Sequence, residues 1–156
     1  LVQLSTLDQL ADLSLTITPP SETFGAELYV VGVYAEFNEV FPTGTVSLVY
    51  TKDNWRSVEI DYLPERTLEE QLAMLSLYSQ EIVTLNETTT ASILTREKSP
   101  RCIDYDDGIP NKCEITNQLL FEHNGLLISL SSDGDHATVG ELIEIAKSIL
   151  NKNTNQ

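Results

Sequence analysis

The chain has 156 residues, 41% of them apolar, and sets 24 acidic side chains against nine basic ones for a formal charge of −15. A chain of that length buries one full core without help from a metal or several crosslinks, and its apolar share lies well above the disordered range. The charge argues against a nucleic-acid partner, because neutralising phosphates takes clustered Lys and Arg, and it repels an anionic membrane surface.

The first predicted element is a helix from Thr6 to about Leu13, opened by Thr6 with Gln9 three residues on, and carrying Leu7, Leu10 and Leu13 on one face. Leu28 to Phe37 reads as a strand whose apolar residues fall in both phases, so both of its faces are expected to be covered. Thr45 to Thr51 and Arg56 to Tyr62 alternate with a period of two, and the turn residues Lys52-Asp53-Asn54 between them predict a hairpin. A second helix starts at Thr67-Leu68-Glu69-Glu70 and points Leu68, Leu72, Leu75 and Tyr78 inward. Thr90 to Thr95, Gln118 to His123 and Leu126 to Leu130 read as strands, the last two joined by Asn124-Gly125, the strongest hairpin signal in the chain. A third helix opens at Thr138 with Glu141 three residues on, and places Leu142, Ile145, Ala146 and Ile149 on one stripe. Helices and strands do not alternate regularly, which predicts an α+β fold with an antiparallel sheet. There is no internal repeat.

Cys102 and Cys113 stand 11 positions apart in a segment rich in Asp, Gly, Pro and Asn. Two thiolates with no His or further Cys nearby make half a zinc shell, and their spacing is not that of a CxxC pair, so a disulfide is expected. A disulfide implies an oxidising compartment, hence an extracytoplasmic location. Leu1 in place of Met points to a removed upstream piece, a signal peptide or an anchor. No stretch reaches the roughly 20 apolar residues that span a bilayer.

Motifs that carry chemistry are sparse. Asp104, Asp106 and Asp107 are the candidate ligands of a hard cation, but the run lacks the alternating acids, central Gly and closing Glu of an EF-hand loop, so no metal site is expected. Asp133 and His136 precede the third helix, where acids and turn formers complement a helix N-terminus, and His123 beside its hairpin turn is expected at the surface. No Gly-x-Ser-x-Gly string and no phosphate-cradling glycine loop occurs. Asn86-Glu87-Thr88 is a glycosylation sequon. The aromatic residues Tyr29, Tyr34, Phe37, Phe41 and Trp55 gather around the first strands, and on a sheet curving away from its helices they would line a concave ligand surface.

Taken whole, the pattern resembles a family of uncharacterised extracytoplasmic domains from Gram-positive and related bacteria, which follow a signal peptide, a lipid anchor or the transmembrane helix of an anti-sigma factor. The resembling strings are Ser5-Thr6-Leu7-Asp8-Gln9-Leu10-Ala11 with Ile17-Thr18-Pro19-Pro20, Val46 to Tyr50, Gly125 to Leu130, and Glu141 to Ile149. A more distant similarity is to lipoprotein-carrier and sigma-regulator folds. The resemblance implies no catalytic residues. Together these readings predict one α+β domain over residues 1–150 with a frayed tail at 151–156, built on a curved antiparallel sheet packed on one face by about three helices. The expected role is a non-enzymatic cell-envelope binding or sensing domain, the exported part of a membrane-anchored protein or lipoprotein. It needs no cofactor, does not itself span the membrane, and has a protein or lipid partner in the envelope. An extracellular hydrolase using paired carboxylates and a structural module of an envelope complex are the alternatives.

Overall fold

The computed structural model describes residues 2–4, 15–34, 41–53, 55–75, 79–95, 102–103, 112–113, 117–132 and 137–151. Among these the strands are β1 Val2–Leu4, β2 Glu27–Val33, β3 Val46–Lys52, β4 Trp55–Pro64, β5 Ser79–Thr84, β6 Thr90–Thr95, β7 Cys102–Ile103, β8 Lys112–Cys113, β9 Asn117–His123 and β10 Leu126–Ser132. The helices are α1, Leu68–Met74, and α2, Val139–Asn151. Eight strands form one antiparallel sheet in the order β1-β2-β3-β4-β10-β9-β6-β5, and β7 pairs with β8 as a separate ribbon. No helix among the described residues is long and apolar enough to cross a membrane.

The strand order is palindromic. Two four-stranded meanders, each closed by a helix, meet where β4 pairs with β10 from Pro64↔Leu126 to Glu59↔Ser131. These central strands have partners on both sides, and every residue of β10 is buried. The Asn124-Gly125 turn forms as predicted, with φ of 53° and 77°, the pair of positive values that a type I′ hairpin requires and that Asn and Gly tolerate best. The hairpin predicted at 52–54 also forms, with Asp53 at φ 57°.

The strand period sorts each strand onto two faces. On one face Val31, Leu48, Ile60, Tyr62, Ile128, Leu130, Leu119 and Phe121 make the main core. It is covered by Leu142, Ile145, Ala146, Ile149 and Leu150 of α2 and by the segment carrying Leu15 and Ile17. Burying one such large side chain stabilises by roughly 1.5–3 kcal/mol. Polar contacts fasten this cover: the Tyr62 hydroxyl donates to the Thr18 carbonyl at 2.8 Å, and Ser148 Oγ of α2 accepts from the Ser21 and Glu22 amides at 3.1 and 3.2 Å.

The opposite face carries Leu63, Leu94, Leu120 and Leu127, against which α1 places Leu68, Leu72 and Leu75. The expectation that the helices share one face is therefore corrected: α1 and α2 pack on opposite faces. The reason is registry. Leu63 is adjacent to Tyr62 on β4 and Leu127 to Ile128 on β10, so the second phase of the central strands, polar at Asp61 and Ser129, turns apolar at this end and needs a cover of its own. The helix predicted at 6–13 and the inward Tyr78 lie outside the described residues, as does the tail beyond Asn151, which is itself the last residue of α2. The strand expected from Leu28 to Phe37 is observed as Glu27–Val33, with Val30 and Val31 both buried as the two-phase pattern predicts.

Candidate functional site

Helix α1 has seven residues, too few to persist on propensity alone. It is held by a capping box, in which Thr67 Oγ1 accepts from the Glu70 amide at 3.1 Å and Glu70 Oε1 accepts from the Thr67 amide at 3.1 Å. Hydrogen bonding of the exposed Glu70 carboxyl to the Thr67 side chain first, and to the Thr67 amide second, holds it below its usual range. A third partner comes from across the sheet: Glu122 Oε1, on β9, accepts from the Leu68 amide at 2.7 Å. The corner from β4 into α1 is thereby pinned beside the β9–β10 turn.

Two adjoining hollows open at this corner. The larger, about 580 Å³, lies between Leu15 and Thr16, the end of β2 at Val33, the Thr43-Gly44 turn, Pro64-Glu65 and the Asn124-Gly125-Leu126 turn. The smaller, about 370 Å³, shares Glu65, Asn124, Gly125 and Leu126 and extends to Arg66, Thr67, Glu122 and His123. The lining of the larger hollow is mixed: Leu15, Val33, Pro64 and Leu126 supply apolar side chains, while Thr16, Thr43, Glu65 and Asn124 supply polar ones. Glu65 lines both hollows with φ of 52°, a left-handed conformation that costs a non-glycine residue about 1 kcal/mol or more. The Arg66 guanidinium is turned toward α1, donating to Gln71 Oε1 at 2.6 Å and to Met74 Sδ at 3.1 Å. Partial burial holds the His123 imidazole below its ordinary pKa, because desolvation disfavours the charged ring. His123 is half-buried rather than on the open surface.

The predicted aromatic surface divides. Tyr34 and Phe41 come together with ring centroids 4.9 Å apart, but Phe41 packs on the Leu63, Leu94, Leu120 and Leu127 patch beside α1. Tyr34 sits near a buried polar layer. Burial first, then the Asp61 and Glu59 carboxylates, push its phenol above the usual range, with the Arg56 guanidinium opposing. In that layer Asp61 stands in register between Ser47 and Ser129, Arg56 pairs with Glu59 at 3.4 Å, and Gln118 Nε2 donates to Ser129 Oγ at 2.8 Å. Ser47, Glu59, Asp61, Gln118 and Ser129 are buried and Arg56 is largely so, and this layer orders the sheet interior rather than offering a surface. Tyr29 is about half exposed on β2. Trp55 pairs by backbone with Lys52, and Phe37 lies outside the described residues.

Asp104, Asp106, Asp107, Asp133 and His136 also lie outside the described residues, within which no cluster of His, Cys, Asp and Glu is placed to hold a metal ion. Cys102 and Cys113 are direct register partners across β7 and β8. Sequence reasoning missed the hollows. The local signal was a Pro-Glu-Arg corner before a capping box, but nothing local tells that Pro64 pairs with Leu126. A comparison of the chain with protein-family models, with curated proteins and with solved structures finds no match.

Proposed function

We propose that the chain is a non-enzymatic, extracytoplasmic binding or sensing domain, the exported part of a membrane-anchored protein or lipoprotein, and that its ligand enters the hollows at the β4–α1 corner. The observation that carries this reading is the larger hollow, which combines apolar side chains with polar ones and, among the described residues, one carboxylate, Glu65, held in a strained conformation at its wall. That chemistry suits an amphiphile with an apolar portion and a cationic or hydrogen-bonding head. The surplus of 15 negative charges likewise favours a cationic ligand. The two cysteines placed opposite one another and the family resemblance in the sequence support the envelope location.

Titrating isotope-labelled protein with a long-chain alkylammonium and, separately, with the fatty acid of equal length tests the reading. The alkylammonium is expected to bind saturably and shift the amides of Val33, Gly44 and Gly125, while the fatty acid binds more weakly. Thr43→Trp, at an exposed position on the wall, is expected to abolish binding without unfolding the protein, and Glu65→Gln to weaken it. Absence of saturable binding by either compound defeats the proposal. The hydrolase reading has one specific support, that Glu65 and Glu122 line the same hollow, although Glu122 already caps α1. Turnover of a glycoside substrate that Glu65→Gln abolishes would favour it instead.

A further inference from the structure

Among the described residues the sheet ends on β5, and this edge is unlike most. Natural edge strands are blunted by lysine, proline, a bulge or very short length, because their unpaired N–H and C=O groups template further pairing. The opposite edge, β1, has three residues. β5 has six, Ser79 to Thr84, in unbroken register with β6 from Ser79↔Thr95 to Thr84↔Thr90, with no bulge and no Pro. Five of its six residues are exposed, and Ile82 is 68% exposed, the most exposed large apolar side chain among the described residues. From Ser79 to Thr95 there is no Lys or Arg, while Glu81 and Glu87 are both acidic.

We propose that the outer edge of β5 takes up an extended, lysine- or arginine-bearing peptide segment as a ninth strand of the main sheet. The outward backbone groups of the edge, which pair with no other described strand, supply the hydrogen bonds, exposed Ile82 supplies an apolar contact for a side chain on the same face, and Glu81 supplies the counter-charge. Charge selects the occupant. A second copy would bring its own surplus of 15 negative charges to an edge only six residues long, whereas a basic strand is attracted. This surface lies three strands away from β10 in the sheet and does not depend on the hollows.

The test uses the labelled protein and a short synthetic peptide alternating lysine with valine, against the same peptide with glutamate in place of lysine. The lysine peptide is expected to give saturable amide shifts and slowed hydrogen exchange confined to β5 and β6, weakening as salt is raised. The glutamate peptide should give none. Ile82→Lys, at a position exposed enough to leave the fold intact, is expected to reduce affinity on the order of tenfold or more. Shifts at Val33, Gly44 and Gly125 in place of β5, equal binding by both peptides, or no binding by either would each overturn the proposal. So would protection of β5 without peptide accompanied by a doubled mass in sedimentation, which would make the occupant a second copy.

Discussion

Ser148 illustrates how much one hydroxyl can organise. It lies on the buried side of α2, donates to the Ile145 carbonyl at 2.7 Å, and accepts two backbone amides from the segment that covers the core, those of Ser21 and Glu22. Replacing it by alanine leaves two amides without this acceptor, so Ser148→Ala is expected to cost about 1–2 kcal/mol. Hydrogen exchange should accelerate at Ser21 and Glu22 more than in β10, and an unchanged exchange pattern would show that the segment is held by its apolar contacts alone. Asn86 plays a similar part in the β5–β6 turn, where its Oδ1 accepts from the Thr88 and Thr89 amides at 2.9 and 2.8 Å. The sequon thus falls on an exposed hairpin turn whose asparagine is already occupied in an Asx-type bond.

At the scale of elements, the cysteine ribbon is an excursion between β6 and β9, which pair directly from Ser92↔Leu120 to Thr95↔Asn117. Opposed residues of an antiparallel pair have Cα atoms roughly 4.5–5.5 Å apart, inside the range a disulfide spans. We therefore expect Cys102 and Cys113 to be joined, and closure of so short a loop to contribute about 3 kcal/mol. Intact-mass measurement after alkylation, with and without reductant, decides this. Both cysteines alkylating without reductant would refute the bond, and with it the main support for an oxidising compartment. β5 was not foreseen because an exposed edge strand has no buried phase, and Ser-Gln-Glu-Ile-Val-Thr carries no alternation to read.

For the whole molecule, the three phenols associated with the core and the buried polar layer set an alkaline limit. Burial raises Tyr50 to about 12, and burial with neighbouring Tyr50 and Asp61 raises Tyr62 further; Tyr34 is raised as well. An unfolded chain titrates its tyrosines near about pH 10 and so holds fewer protons than the folded chain above that pH. The stabilisation is fully present below about pH 10 and is lost as pH rises through the folded values. Tyrosinate absorbance of these residues is thus expected to appear together with the loss of circular dichroism. Titration of all six tyrosines near pH 10 with the fold intact would contradict the burial of these three.

Local patterns by themselves determined the two described helices with their N-terminal caps, the β3–β4 and β9–β10 hairpin turns, the core stripe of α2 and the α+β class. Each depends on residues within a turn or two of one another, where capping bonds, positive φ and side-chain period act directly. Tertiary structure alone decided the palindromic strand order, the placing of α1 and α2 on opposite faces, the burial of Glu59 and Asp61, and the meeting of Pro64 with Leu126 that opens the hollows. These depend on the pairing of β4 with β10 across more than sixty residues of chain. Many antiparallel registers satisfy a period of two, and the one adopted is selected by simultaneous burial on both faces.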